Sequence, residues 1–570
     1  MPNVAFDRFY RYAELTAILQ QYATERPDLF ALQSIGKSHE GRDLWLLTAT
    51  ATRTGPASDK PAFWVDGNIH SVEVAASAAC LYLIETLAKG YGSDPDITRV
   101  LDTRAFYILP RMNPDGAEWA LADVPKYVRS STRPYPYEDA PIEGLDVQDI
   151  DGDGRILSMR IPDPNGLWKK HPDDARLMVR RDPTEIGGEY YRIVAEGLCP
   201  GYDGYTLKVN RPQQGLDLNR NFPANWRQEF EQFGAGPYPT SEPEIRAVTD
   251  FCVRHNNICG GISFHTFSGV LLRPHAHLSD EEFVPEDLWV YQAIGKKGTE
   301  LTGYPNISVY HEFRYHPKQF ITGDFDWLFE HRGAFVWTIE IWSPQREAGI
   351  TEYHAIDWFR DHPESDDLKL MQWNDSALQG KGYVDWYPFE HPQLGRVEIG
   401  GWNKIWAIHN PPPHLLEREL AKFPKWLVWQ ALLSPKLELV HAGSEALGDG
   451  TFKVRLVVQN TGWLPSYVSK EGLKRGVVRP LRAEIELPEG CALVGGKRRV
   501  EAGQLEGRAH KQTGLSFWPD LEPTGDRAVV EWVVKGRAGT PLQLTAVHER
   551  AGTIRTALAL GDDPPAPVAC

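Results

Sequence analysis

An α/β domain built on a mixed sheet, followed by an all-β sandwich, is predicted by three features of the chain. Apolar strand, helix and strand alternate through residues 61–109, the rhythm of βαβ units. Two further apolar runs, 259–266 and 333–341, read as short buried strands. Past residue 434 the chain turns into short alternating runs separated by turn residues, the pattern of a sandwich. At 570 residues the chain is too long for one core, since cores stop growing near about 250–300 residues. Two domains are therefore predicted, 1–433 and 434–570.

Each element has its own signal. Residues 10–26 place Tyr12, Leu15, Ile18, Leu19 and Tyr22 at helical spacing. Residues 30–35 and 44–50 alternate on either side of a glycine-containing turn, a hairpin signal. A buried strand at 61–69, a helix at 74–89 and a strand at 104–109 closed by Pro110 follow. Residues 283–302 read as helix. The stretch 125–214 is rich in Pro, Gly, Asp and Arg with little periodicity, so it reads as a large insertion at the sheet's rim. A C-terminal extension of the first domain runs from about 346 and ends in helical residues 415–433. The sandwich strands are expected at 437–441, 452–459, 481–487, 529–534, 542–547 and 554–560.

Composition narrows the function classes. A net charge of −16 argues against nucleic acid, which needs a basic face. No apolar run reaches the about 18–20 residues of a membrane span, so no membrane role is expected. Cys80, Cys199, Cys252, Cys259, Cys491 and Cys570 are scattered without C-x-x-C pairing, as reduced thiols would be. With no visible signal peptide, a cytoplasmic protein is expected, or a secreted one whose leader has been removed. Oligomeric state leaves no trace in the sequence.

Three residues capable of chemistry fall at predicted strand ends, where open α/β sheets bind ligands. His70 opens His70-Ser71-Val72-Glu73 after the strand at 61–69. His265 closes the strand at 259–266, and Glu340 sits late in the apolar run 335–340, where a carboxylate is costly to bury alone. Imidazole with carboxylate suits zinc. Taken singly, H-x-x-E spacings are mostly surface residues, His265 fits a core histidine and Glu340 a structural ion pair; the joint placement favours a site. Asn219 and Arg220, in Asp217-Leu218-Asn219-Arg220-Asn221-Phe222, have the chemistry of a carboxylate clamp.

With these residues in place, the chain resembles the zinc carboxypeptidases of the carboxypeptidase A (M14) family over about residues 5–345. GKSHEGR (36–42), HSVE (70–73), MNPDG (112–116), DLNRNFP (217–223), SFHTFSG (263–269), GDFDW (323–327) and TIEIW (338–342) occur in family order. The resemblance implies an eight-stranded mixed sheet flanked by helices, and one zinc ion on His70, Glu73 and His265. It implies Glu340 as general base and Asn219 and Arg220 as binders of a peptide's free C-terminal carboxylate. The expected activity is therefore removal of C-terminal residues from peptides. A related zinc amidohydrolase acting on cell-wall peptides or acylated amino acids is the alternative. A binding protein on a peptidase scaffold stands third, against four intact chemical residues.

The chain also departs from the family pattern. Val72 stands where digestive members carry arginine. For the transition-state arginine the expectation is Arg160, with Arg155 and Arg211 as alternatives. Counting back from Asp326-Trp327 puts Lys318 near the family's mobile tyrosine, with Tyr315 close by. Phe325 falls where the terminal side chain is selected, which suggests an apolar or neutral preference. Asp149, Asp151 and Asp153 resemble the start of an EF-hand loop, but Arg160 holds the twelfth position instead of Glu; a calcium ion there is a secondary expectation. His311-Glu312-Phe313-Arg314-Tyr315-His316 misses H-E-x-x-H spacing by one residue. G-x-S-x-G, Walker A and strand-following G-x-G-x-x-G motifs are absent.

Overall fold

Alternating side-chain direction explains how one sheet divides the first domain into two apolar layers. The computed structural model describes residues 2–562 other than 140–142, 317, 514 and 516–521; Cys570 lies outside the described residues. The sheet has eight strands: β1 (Phe30–Lys37), β2 (Asp43–Ala49), β3 (Ala62–Gly67), β4 (Ala105–Leu109), β5 (Ile258–Thr266), β6 (Val270–Arg273), β7 (Asn306–Ser308) and β8 (Phe335–Ile341). Their order is β1-β2-β4-β3-β5-β8-β6-β7. β4, β3, β5 and β8 run parallel at the centre, and antiparallel pairs flank them. The eight-stranded mixed sheet is as expected.

β3, β4, β5 and β8 are buried along their whole lengths, as strands covered on both faces must be. Successive side chains point to opposite faces. Phe63, Val65, Phe106, Ile108, Ile262, Phe264 and Trp337 join one core, with helices Val74–Gly90, Pro285–Thr302 and Pro424–Leu433. Trp64, Tyr107, Leu109 and Val336 join the other, with helices Pro243–Arg254 and Asp324–Arg332. Gly67 permits the close approach of β3 to its helix: a Cβ there would lie 2.7 Å from the Ala76 carbonyl oxygen. The helical run expected at 415–433 is two helices, Pro413–Leu420 and Pro424–Leu433.

The 125–214 stretch carries more regular structure than its composition suggests. Its strands Ser158–Pro162, Trp168–Lys170, Met178–Arg180 and Tyr191–Ala195 join the later hairpin Tyr383–His391/Gly395–Trp402 in a six-stranded antiparallel sheet. The partners are some two hundred residues apart, so no local periodicity could announce the pairing.

From Leu437 onward two four-stranded antiparallel sheets face each other over one core. Alternate residues Val454, Leu456 and Val458 and Trp532 and Val534 turn inward from one sheet, Leu542, Leu544 and Ala546 from the other. All six expected runs are strands, joined by short strands Ala492–Gly495 and Arg499–Glu501. This β domain is fastened to the first. Arg550, almost wholly buried, donates to the carbonyls of Ile258 and Arg332. Asp287 accepts from the amides of Lys470 and Glu471 at 2.8 Å each. The five described cysteines are free thiols, four of them buried. Among the described residues no helix is long and apolar enough to cross a membrane.

Candidate metal and active site

Beyond the carboxyl end of β3 the chain makes a tight turn, and this turn presents the first two candidate ligands. Asn68, at φ 62°, donates from Nδ2 to the carbonyl of His70 at 2.7 Å. Asn410, from the C-terminal extension, accepts from the Ala75 amide and donates to the Val72 carbonyl. The turn is thereby held from both sides, with Glu73 as N-cap of helix Val74–Gly90. His70 Nδ1 lies 2.8 Å from Glu73 Oε1 and 3.2 Å from His265 Nδ1, and His265 Nδ1 lies 3.1 Å from Glu73 Oε2.

Three donor atoms that close together fit a zinc ion, whose ligands at about 2.0–2.1 Å leave donors roughly 3.3 Å apart. All three residues are buried. The second nitrogen of His70, Nε2, faces Asp217 Oδ1 at 3.3 Å, the carboxylate support that fixes a ligating imidazole's tautomer. Burial opposes ionisation of Glu73, but the two imidazoles, His70 and then His265, draw its carboxyl well below the usual range.

Glu340 stands opposite His265 as its register partner across β5 and β8. Burial first, then the charge of Glu73 with a further push from Asp324, raises its carboxyl well above the usual range, against the pull of Arg129. Arg129 is the basic residue that sequence reasoning missed. Its Nε donates to Asp217 Oδ2 at 2.9 Å, and its Nη1 lies 3.8 Å from Glu73 Oε1. The only signal for it was an arginine near the start of the 125–214 insertion.

Residues 15–357 match the family described as zinc carboxypeptidase, peptidase M14. The chain belongs to the zinc carboxypeptidase family. That family is zinc-dependent and hydrolytic and acts on peptides. Residues 436–559 match a second family, described only as a domain of unknown function. Carboxypeptidase A2 of Rattus norvegicus is 24% identical over 298 residues, 52% of this chain and 53% of the relative. The zinc carboxypeptidase of Saccharothrix mutabilis subsp. capreolus is 35% identical over 116 residues, 20% of this chain and 26% of that one. The chain thus spans about half the length of the first of these relatives and about a quarter of the second. Among solved structures, carboxypeptidase A from Helicoverpa armigera superposes with a TM-score of 0.38 at 19% identity, covering 66% of this chain and 75% of that one.

In this zinc carboxypeptidase fold the remaining expected residues sort plainly. His70, His265, Glu340, Asn219, Arg220, Tyr315 and Phe325 all line one cavity with Arg129. Asn219 and Arg220 lie in the short turn Leu218–Arg220, where Asp217 accepts from the Asn219 amide. Asn219 Oδ1 accepts from the Asp324 amide at 2.9 Å. A Cβ on Gly323 would come 2.9 Å from that same oxygen, so a side chain there would displace the Asn219 amide. Leu272, Val309, Phe313 and Ile321 supply the cavity's apolar wall beside Phe325.

Three expectations are corrected. Arg160 is not at the site: it lies on the strand Ser158–Pro162, donating to Glu398 at 2.7 Å under the rings of Tyr191 and Trp386. Its alternatives are engaged elsewhere, Arg155 with Asp153 and Arg211 with Tyr137. Lys318 is exposed and does not line the cavity. The carboxylates of Asp149, Asp151 and Asp153 cluster, yet they accept from the amides of Gly152, Gly154, Asp153 and Arg155. Tyr387 donates to Asp151 as well. These turns are satisfied by their own backbone, and nothing supports calcium there.

The near-miss motif at 311–316 holds no zinc geometry either; His311 sits in the π-helical turn Val309–Phe313. Sequence reasoning also missed the extension's contribution. Half-buried His409 packs on Phe267 with ring centroids 4.6 Å apart.

Proposed function

We propose that this protein is a zinc carboxypeptidase that removes apolar C-terminal residues from peptides. The observation that carries the reading is the convergence, in one cavity, of His70 and His265, which Glu73 contacts, with Glu340 and two arginines. His70, Glu73 and His265 would hold the zinc ion, which when bound would supply an activated water and polarise the scissile carbonyl. Glu340 takes the proton as water attacks, then delivers it to the departing amine. Its raised affinity for protons suits a group that must hold one between the two steps.

Arg129 lies where it can stabilise charge developing on the carbonyl oxygen. Arg220 and the Asn219 amide grip the terminal carboxylate, which restricts cleavage to the last residue. The wall of Leu272, Val309, Phe313, Ile321 and Phe325 accepts its side chain, and burial there favours an apolar one. The test is incubation of the zinc-loaded protein with a mixed peptide library, with and without chelator, followed by mass spectrometry. Chelator-sensitive loss of single apolar C-terminal residues is expected. Intact peptides would direct attention to cell-wall peptides and acylated amino acids.

A further inference from the structure

A second group of metal-type donors lies outside the cavity just described and shares no residue with the His70 cluster. His275 and His277 follow β6 two residues apart, and helix Asp324–Arg332 carries Asp326 and Glu330 one turn apart on one face. His275 Nδ1 lies 3.3 Å from Glu330 Oε1 and 3.8 Å from Asp326 Oδ1. His277 Nε2 lies 3.4 Å from Glu330 Oε1, and its Nδ1 lies 3.9 Å from Asp326 Oδ1. None of the four side chains is more than 8% exposed.

These separations are too long for hydrogen bonds, which fall at about 2.7–3.2 Å. The two to Glu330 match the roughly 3.3 Å between donors around a tetrahedral ion, and one donor atom from each of the four residues lies within 4.8 Å of the others. Three of the buried donor atoms have no partner: His275 Nδ1, His277 Nδ1 and Glu330 Oε1. Buried polar atoms are nearly always satisfied, so three such orphans in one place call for a missing partner. The surroundings also aim them inward. Glu330 Oε2 accepts from Asn225 at 2.9 Å and from Arg475 at 3.3 Å, leaving Oε1 to face the imidazoles. Asp326 accepts from the amides of Ala276 and Gly323, one on each oxygen, which fixes its carboxylate while leaving each oxygen a lone pair.

We infer that His275, His277, Asp326 and Glu330 hold a second, structural metal ion. Two imidazoles and two carboxylates make a neutral site for a divalent transition metal, with zinc the best match to four closely set N and O donors. Four protein ligands leave no position for substrate. The ion ties the loop at 274–277 to helix Asp324–Arg332, whose Ala276 and Phe325 form part of the substrate wall. Through the Glu330–Arg475 contact it also braces the β domain against this wall.

The full chain, saturated with zinc and desalted, is assayed for metal by mass spectrometry in three forms: unaltered, His70→Ala/His265→Ala, and His275→Gln/His277→Gln. Two equivalents in the unaltered protein and one in each variant are expected. One equivalent that survives in the His275/His277 variant and disappears in the His70/His265 variant would overturn the inference and leave the catalytic site standing. The reverse pattern would support the second site and remove the first. Two equivalents surviving in the His275/His277 variant, or none in the unaltered protein, would also overturn it. Should that variant misfold, cobalt loaded into the folded His70/His265 variant decides. The intense visible bands of four-coordinate cobalt are expected, and their absence would sink the site.

Discussion

His265 and Glu340 are register partners on adjacent parallel strands, so a candidate ligand and a candidate base emerge from the same face of the sheet at the same height. Their spacing is set by backbone hydrogen bonding, the most rigid ruler the fold possesses.

Replacing Glu340 with Gln removes the proton carrier while keeping size and packing. Turnover should fall about 10²–10⁴-fold, with metal content unchanged by elemental analysis. Unchanged turnover would remove Glu340 from the reaction.

Arg129 and Arg160 give opposite expectations. Arg129→Ala should lower kcat about 10²–10³-fold, as loss of one oxyanion donor does. Arg160→Ala should leave kcat intact and lower the melting temperature, because its partners are Glu398, Tyr191 and Trp386. Steady-state kinetics on both variants, beside thermal unfolding, separates them.

Asp217 supports both His70 Nε2 and Arg129 Nε. Asp217→Asn should weaken zinc affinity about 10–100-fold, as read by competition with a chelating dye. An unaltered affinity would mean that His70 needs no such support.

Stability should fall as the solution is acidified, with His548 a defined contributor. Burial, and then the charge of Arg550, lowers His548 from 6.5 to about 3. The ring is held by Gln504 and the Arg550 amide. Because the unfolded chain takes up the proton first, this contribution is complete above pH 6.5 and is lost as pH falls towards 3. By pH 5 the loss is about 2 kcal/mol. Urea unfolding at pH 8 and pH 5 should show a smaller pH dependence for His548→Gln.

Arg550 satisfies two carbonyls of the first domain from within the second. Arg550→Met should lower stability by about 1–3 kcal/mol, since two buried acceptors lose their donor. Equal stability, read by the same unfolding experiment, would mean that the cost of burying the guanidinium cancels its hydrogen bonds.

Residues whose placement is local to a motif were legible in the sequence. His70 and Glu73 share a turn, His265 and Glu340 end apolar strands, and the sandwich strands alternate in steps of two. Backbone periodicity and strand ends are written in consecutive residues. What the sequence left open depends on residues distant along the chain. Arg129 reaches the site because Asp217, eighty-eight residues later, folds back to meet it. Arg160 was misplaced because its strand pairs with one near residue 398. The donors at His275 and Glu330 meet only when the loop after β6 packs on a helix half a hundred residues further on. Pattern determines which elements form and which faces are apolar; only close packing of those faces decides which polar atoms end within bonding distance.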